Sequence, residues 1–341
     1  MATTVITFLT LLAPIWSLQP LTPTQYHGIY QLSDPAIKAD CPIWDYRNNI
    51  LYFVSIYEGE IHRYDFFKQE FSSIFLDGEV APVIPSVRDS NLLIVGLNRS
   101  VAAVEWDGVS EPSETRILTT LAPDFPTSRV NDGKADKEGN LWIGTTSYEG
   151  PNEGILYQVT CENLDSPRIE IAPVNISNGL TWNAANDKFF YIDAGSTQVV
   201  EYSYNDETGE ISNRRVVFDV NDHTEQVIGS PHGMTIDEDD NLWVALYGGG
   251  AVVRVNSSNG DILNIVSFPT LGVTSATWGG PYLDMLYVTS SRISLTNEQK
   301  LGQPAPGTVF FVVGLGTKGR PAYFVDILDS IDKECEKKMH I

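Results

Sequence analysis

The sequence predicts an all-β protein: a six-bladed β-propeller with four-stranded antiparallel blades around a central axial pocket. First, a turn rich in Asn, Asp or Gly precedes a short apolar run, usually with an aromatic residue, six times after residue 40. Second, the copies are spaced by 42, 48, 49, 52 and 44 residues, counted from Leu51, Leu93, Leu141, Phe190, Leu242 and Leu286. Third, helical periodicity is nearly absent and is weak even at residues 327–339. A strand-rich repeat of about 40–50 residues is typical of propeller blades.

Each copy reads as a small antiparallel sheet that cannot bury both of its faces alone, so the copies are expected to stack around an axis. Further strands support this, because residues 58–64 and 251–255 follow two of the copies and each leads into another turn. One propeller domain is therefore predicted for residues 25–325. A C-terminal tail is predicted for residues 326–341.

The composition supports a large core and argues against polyanionic partners. The chain has 341 residues, 22 Lys plus Arg and 44 Asp plus Glu, which gives a formal charge of −22, and 42% of its residues are hydrophobic. Such an acidic chain would be repelled by nucleic acid and by anionic membrane surfaces. Metal cations and neutral small molecules remain open as ligands.

The N-terminal segment predicts secretion. Residues 2–16 are uncharged and apolar, and small and polar residues follow, which is typical of a signal peptide, although no Lys or Arg precedes the run. A signal peptide is therefore predicted for residues 1–18. Three glycosylation sequons, at Asn98, Asn175 and Asn256, agree with a secreted glycoprotein. No later stretch is long and apolar enough for membrane insertion.

Candidate ligand groups lie in the stems that precede four of the apolar runs, because propellers direct loops and innermost strands towards the axis. These stems contain residues 39–44, 128–134, 176–182 and 230–237, and Tyr148–Glu149 follows one of the runs. No nucleophile elbow, phosphate-binding loop or Ser-His-Asp arrangement is recognisable.

These stems resemble those of the gluconolactonase, regucalcin (senescence marker protein) and luciferin-regenerating enzyme family of six-bladed propellers. The resemblance runs from about residue 38 to residue 320. It includes the segments RVNDGKAD from Arg129, ISNGLTW from Ile176, GMTIDEDDNLWVA from Gly233 and GLGTKG from Gly314.

The resemblance implies one divalent cation on the axis, commonly calcium, held by Glu, Asn and Asp from three blades. It also implies an Arg-x-Asn pair and a Glu that contact a sugar-like substrate. Carried over by position, the substrate residues are Arg129, Asn131 and Glu149, and the metal Asn is Asn178. The two metal carboxylates differ, because Asp40 replaces the Glu and His232 replaces the Asp.

The predicted metal ligands are therefore Asp40, Asn178 and His232. Calcium prefers six to eight oxygen ligands, whereas a neutral imidazole suits zinc and other borderline metals better. We expect calcium to bind more weakly than in the family, and a borderline metal to compete or no metal to bind. His232 is also the candidate catalytic base, since an unperturbed imidazole titrates near neutrality.

Each of these residues also has an ordinary structural interpretation. Asp40 and Asn178 both lie in sequences typical of turns, and a lone His such as His232 is often held by a hydrogen bond. The acidic run at residues 237–241 lacks the Gly and Glu of a calcium loop, which favours a β-turn. Cys41 is interpreted as a metal ligand, a disulfide partner or, preferably, a buried thiol.

Two functions follow from these observations. The first is a secreted, metal-dependent hydrolase of lactones or similar small cyclic esters. The alternative is a non-catalytic, small-ligand-binding propeller with a degenerate metal site. In both cases the expected partner is a lactone or sugar-like small molecule, with neither nucleic acid nor membrane insertion, and the chain is expected to be a monomer.

Overall fold

The computed structural model describes residues 28–293 and 295–328. The predicted signal peptide (residues 1–18) and residues 329–341 of the predicted C-terminal tail lie outside the described residues. None of the helices in the described part of the chain is long and apolar enough to cross a membrane.

Within these residues, 24 strands form six four-stranded antiparallel sheets, which confirms the predicted six-bladed propeller. The strands are β1 (Gly28–Gln31), β2 (Ala39–Asp45), β3 (Ile50–Ser55), β4 (Glu60–Asp65), β5 (Glu70–Phe75), β6 (Val80–Pro85), β7 (Leu92–Leu97), β8 (Ser100–Glu105), β9 (Arg116–Thr120), β10 (Ser128–Ala135), β11 (Leu141–Ser147), β12 (Gly154–Val159), β13 (Arg168–Val174), β14 (Ser177–Trp182), β15 (Lys188–Asp193), β16 (Gln198–Tyr204), β17 (Ile211–Asp219), β18 (Ser230–Ile236), β19 (Leu242–Tyr247), β20 (Ala251–Val255), β21 (Ile262–Ser267), β22 (Val273–Gly279), β23 (Met285–Ser290) and β24 (Phe310–Val313). Two short 3₁₀ helices (Ile56–Glu58 and Val220–His223) and the helix α1 (Asn297–Gly302) lie between strands.

Five blades follow the chain directly, from β2-β3-β4-β5 to β18-β19-β20-β21. The sixth blade has the order β1-β24-β23-β22, so the first described strand is its outermost strand. Gly28 pairs with Val313 and Gln31 with Phe310 in this closure. The ring is therefore closed by hydrogen bonds between the two ends of the propeller.

The recurring apolar run forms the second strand of every blade, because its six anchor residues lie in β3, β7, β11, β15, β19 and β23. The predicted strand at residues 251–255 coincides with β20. The one predicted at residues 58–64 begins two residues later, at Glu60, because Glu58 belongs to a 3₁₀ turn that ends at Gly59.

The core lies between the blades. The innermost strands β2, β6 and β14 are buried along their whole length, because neighbouring blades cover both of their faces. The outermost strands β5, β9 and β17 expose several residues. Aromatic side chains fill the gaps between sheets, and Trp142 packs edge-on against Trp182, as Trp243 does against Trp278.

In each of two blades, a buried Asp stabilises the turn between the first and second strands. Asp136 accepts a hydrogen bond from Trp142 Nε1 at 3.0 Å, and Asp237 accepts the same bond from Trp243 at the same distance. The backbone of Asp237 also pairs with Asn241, which confirms the β-turn predicted for residues 237–241. Its carboxylate therefore holds the turn and the neighbouring indole.

Candidate active site

A break in strand register occurs near the start of every innermost strand. In β10 it falls between Val130 and Asp132, so Asn131 is left without a cross-strand partner. In β14 and β18 the unpaired residues include Asn178 and His232. A bulge frees a residue from the ladder and changes the direction of its side chain. The bulges therefore explain why these side chains can leave the blades and line the axis.

Four of the predicted site residues lie on four different innermost strands. Asp40, Asn131, Asn178 and His232 are buried, with exposed fractions of 2, 1, 1 and 7%. Contacts between blades fix their relative positions, because Asn131 Nδ2 donates to the carbonyl oxygen of Ser177, the neighbour of Asn178, at 2.9 Å.

Glycine allows the innermost strands to approach each other closely at this level. A Cβ atom at Gly179 would lie 2.6 Å from the carbonyl oxygen of His232, and one at Gly233 would lie 2.1 Å from Ser275 Oγ. Both distances are shorter than normal contacts. The glycines that follow Asn178 and His232 are therefore required by packing between adjacent blades.

His232 is held as a neutral imidazole with a defined tautomer. Its Nδ1 lies 2.8 Å from the carbonyl oxygen of Thr274, which can only accept, so Nδ1 carries the proton and Nε2 keeps a lone pair. The ring stacks on Tyr247. Burial, followed by the charge of Lys38, lowers the pKa of His232 to about 4. The ring is therefore neutral at neutral pH, and Nε2 can accept a hydrogen bond. Its lowered pKa makes it a weaker base than the unperturbed imidazole expected from the sequence.

Asp40 is paired with a lysine that the sequence analysis did not assign. Lys38 Nζ lies 3.3 Å from Asp40 Oδ2, and both side chains are at least 90% buried. The other oxygen, Asp40 Oδ1, accepts from the backbone N–H of Cys41 at 2.9 Å. Cys41 has a positive φ of 49°, which lies in the left-handed region that non-glycine residues rarely adopt. The chain therefore bends sharply beside the only buried carboxylate among the predicted metal ligands.

Three buried polar atoms of the site lack a hydrogen-bond partner. They are Asp40 Oδ2, Asn131 Oδ1 and Asn178 Nδ2. The Lys38–Asp40 contact is an ion pair without the alignment of a hydrogen bond. Since an unpaired buried polar group costs about 1–3 kcal/mol, such a group in a native structure indicates a place where a ligand or water is bound.

Arg129 is positioned by Tyr148 of its own blade and by Tyr57 and Glu79 of other blades. Its Nε donates to Tyr148 Oη at 3.1 Å, and Tyr148 Oη donates to Glu79 Oε1 at 2.5 Å. The guanidinium also lies over the ring of Tyr57, 5.5 Å from its centroid. The predicted substrate residue Glu149 lies in the exposed loop after β11, and its backbone N–H bonds to Ser147. The structure thus brings Tyr148, and not Glu149, to Arg129.

Towards the other end of the channel, Asp132 and Lys134 follow Asn131 on β10. Lys134 Nζ donates to the carbonyl oxygen of Met234 at 2.7 Å. Burial, and then the nearby charge of Asp40, raises the pKa of Asp132 to about 6. Cys41 is a free buried thiol, which confirms the preferred interpretation, and burial raises its pKa as well.

The three predicted metal ligands do not offer a divalent cation a suitable set of free oxygen atoms. Asn178 Oδ1 already accepts from Gly179 N at 3.1 Å, so the unpartnered atom of Asn178 is the Nδ2 donor, which cannot bind a metal. Asp40 Oδ2 is paired with an ammonium group. No group of three or more His, Cys, Asp or Glu side chains suited to a metal occurs among residues 28–293 and 295–328. These residues do not fit calcium, which prefers six to eight oxygens.

Lys38, Tyr148 and Glu79 are functional candidates that the sequence analysis missed. A signal existed for Lys38, because residues two apart in an extended chain point to the same side, and Lys38 stands two residues before Asp40. Tyr148 stands beside the predicted Glu149. Nothing in the local sequence singles out Glu79, whose contact depends on the packing of blade two against blade three.

The chain belongs to the family described as the SMP-30/Gluconolactonase/LRE-like region, which matches residues 38–292. Regucalcin of Homo sapiens is 33% identical over 290 residues, which cover 83% of this chain and 93% of regucalcin. The protein named "Putative sugar lactone lactonase YvrE" of Bacillus subtilis (strain 168) is 31% identical over 285 residues, covering 83% and 93%. A solved luciferin-regenerating enzyme is similar with a TM-score of 0.83 and 34% identity, covering 88% of this chain and 99% of that one. The family identified from the stems is thereby confirmed.

Proposed function

We propose that this protein is an enzyme that hydrolyses lactones or similar small cyclic esters at the axis of the propeller. The observation that carries the proposal is the set of buried atoms without a hydrogen-bond partner, Asn131 Oδ1, Asn178 Nδ2 and Asp40 Oδ2, on innermost strands of three blades; Asp40 Oδ2 makes only an ion pair with Lys38. Donors and acceptors that converge in a buried site suit a small ligand with several oxygen atoms. Membership of a family described in part by gluconolactonase supports the reaction class.

The residues present can supply the groups that hydrolysis needs. Water adds to the carbonyl carbon, the ring C–O bond breaks, and the ring oxygen takes up a proton, so that the product is a hydroxy acid, which then ionises. His232 Nε2 is the group that accepts a proton from the attacking water. Asn178 Nδ2 donates to the oxygen that gains negative charge. Arg129 and Asn131 orient the ligand.

The residue types implied by the family resemblance suggest calcium, but the arrangement of Asp40, Asn178 and His232 does not fit that ion. Metal dependence therefore stays a prediction, and none of the steps above uses a metal. Zinc, through His232 Nε2, is the metal that the neutral imidazole would favour.

A second function, a non-catalytic binding propeller, is favoured by the Lys38–Asp40 ion pair, which occupies the single carboxylate of the predicted metal-ligand set. The two functions differ in turnover. The purified protein is assayed with a panel of sugar lactones, and the corresponding hydroxy acids are tested as ligands by thermal shift. Turnover that is lost in His232→Phe supports the enzyme. Stabilisation by ligand without turnover of any lactone would support the binder.

We also propose that the protein is secreted and glycosylated. Asn98 lies in the turn between β7 and β8, and Asn256 lies in the turn between β20 and β21, where a glycan can be accommodated. The disulfide of Cys161 supports an oxidising compartment. Expression in a eukaryotic cell culture tests this: protein in the medium should lose mass after removal of N-linked glycans. Retention inside the cells would contradict it.

A further inference from the structure

The charges along the axis are unusual for such an acidic chain. Two buried acidic residues, Asp40 and Asp132, face this region together with two buried basic ones, Lys38 and Arg129. The partly buried Lys134 and Glu79 add one charge of each sign. Basic and acidic groups thus balance here, whereas acidic residues outnumber basic ones two to one in the whole sequence. A site without an excess of negative charge offers a divalent cation little electrostatic attraction.

Lys38 is held by its backbone on two sides and by an ion pair through its side chain. The backbone carbonyl of Lys38 accepts from Ile56 N at 3.1 Å, and its backbone forms a bridge with Ser291 of blade six. The side chain is 90% buried and reaches Asp40 Oδ2 at 3.3 Å. Its charge also acts on His232. The fold therefore fixes the backbone of Lys38, and its buried ammonium group lies beside Asp40.

We propose that the Lys38 ammonium takes the place of a divalent cation on the axis, so that this site binds its ligand without a metal. The ligand class is a carboxylate or a polarised ester carbonyl, which pairs with Lys38 and with Arg129. The proposal rests on the proposed function for the reaction, but its central claim concerns metal binding alone.

The substitutions in the stems are consistent with this exchange. Two carboxylates and a divalent cation sum to zero charge, and so do the single carboxylate of Asp40 and the ammonium of Lys38. Because His232 is neutral and replaces the second carboxylate, the remaining negative charge is that of Asp40, and Lys38 already neutralises it. A bound divalent ion would add two positive charges next to an existing one in a buried site, which is strongly unfavourable.

The first experiment uses the unmodified protein. It is exchanged into metal-free buffer, its content of Ca, Mg, Mn and Zn is measured by mass spectrometry, and its melting temperature is recorded with 5 mM EDTA and with each metal. We expect less than ~0.1 equivalent of any metal and no shift in melting temperature. One equivalent of a retained divalent metal, or a saturable stabilisation by calcium or zinc, would overturn the proposal.

The second experiment isolates Lys38 with matched variants. Asp40→Glu/His232→Asp restores two carboxylates and keeps Lys38, and the triple variant adds Lys38→Gln. We expect calcium to bind to the triple variant at least ~100-fold more tightly than to the double variant, measured by calorimetry. Equal calcium affinity of the two variants would contradict the proposal. Lys137→Gln in the double-variant background is the control, because Lys137 is exposed and pairs with Asp206.

The outcomes separate this proposal from the proposed function. A metal-free protein that hydrolyses no lactone would remove the function and leave the exchange of Lys38 for a metal intact. A protein that hydrolyses lactones and holds one tightly bound metal would support the proposed function and overturn the exchange of Lys38 for a metal. If the triple variant does not fold, which circular dichroism shows, the metal content of the unmodified protein still decides.

Discussion

His232 and Thr274 are joined by a hydrogen bond that fixes the chemistry of the site. The imidazole Nδ1 donates to the Thr274 carbonyl oxygen at 2.8 Å, and Thr274 Oγ1 donates in turn to the carbonyl oxygen of Ala39 at 2.7 Å. Blades five, six and one are thus linked through His232 and the residue that precedes Asp40. The bond holds the ring and leaves Nε2 free of a proton.

Replacing His232 should remove turnover and leave the fold intact. His232→Phe keeps the ring volume and its stacking on Tyr247, but it loses Nε2, so we expect kcat/KM for a lactone to fall about 100-fold or more. The loss of the bond to Thr274 should cost about 1–2 kcal/mol of unfolding free energy. Lactone assays and urea denaturation measure the two effects. His223→Phe is the control, and an equal loss of activity in it would contradict the assignment.

Tyr148 should act on ligand binding through Arg129. Tyr148→Phe removes the hydroxyl that accepts from Arg129 Nε and donates to Glu79, so the guanidinium is less well oriented. We expect KM to rise about 3- to 10-fold with little change in kcat, as a lost orienting hydrogen bond of about 1 kcal/mol implies. Tyr282→Phe, at an exposed position, is the matched control. A fall in kcat at constant KM would contradict this role and place Tyr148 in the chemical step.

The fold and the convergence of the site could be predicted from the sequence for one physical reason. The second strand of each blade is apolar on both faces, so its recurrence marks the blades, and the stem before it must then be the innermost strand. The same reasoning could not place Tyr148 or Glu79, because their contacts join different blades and leave no local pattern. Glu149 shows the limit, since its position in an exposed loop depends on how the chain turns after β11.

Asp132 should make the stability of the protein depend on pH between about 4 and 6. Its pKa is raised to about 6 in the folded chain, against 3.8 for an unperturbed Asp, because it is buried and lies near Asp40. Within this window the folded state holds a proton that the unfolded state has released, so the free energy of unfolding falls as the pH rises and then levels off above about pH 6. The change amounts to about 3 kcal/mol.

Asp132→Asn tests this dependence. The variant should lack this fall in stability, and its unfolding free energy at pH 7 should exceed that of the unmodified protein. Urea denaturation at pH 4, 5, 6 and 7 gives both curves, and Asp77→Asn, at an exposed position, is the control. Identical pH profiles for the unmodified protein and Asp132→Asn would show that the buried carboxyl titrates at an ordinary pKa.

Asp237 should be among the residues on which the stability of the propeller depends most. Its fully buried carboxylate accepts from Trp243 Nε1 at 3.0 Å, from Arg254 Nε at 2.7 Å and from the backbone N–H of Asn241 at 2.9 Å. Asp237→Ala leaves the largely buried Arg254 without its main partner, so we expect a loss of about 3–5 kcal/mol in unfolding free energy. Asp239→Ala is the matched control, because Asp239 contacts the same guanidinium from an exposed position, and it should cost under about 1 kcal/mol. Equal losses in the two variants, measured by urea denaturation followed by circular dichroism, would show that the charge on Arg254, and not the buried hydrogen-bond network, sets the stability of this blade.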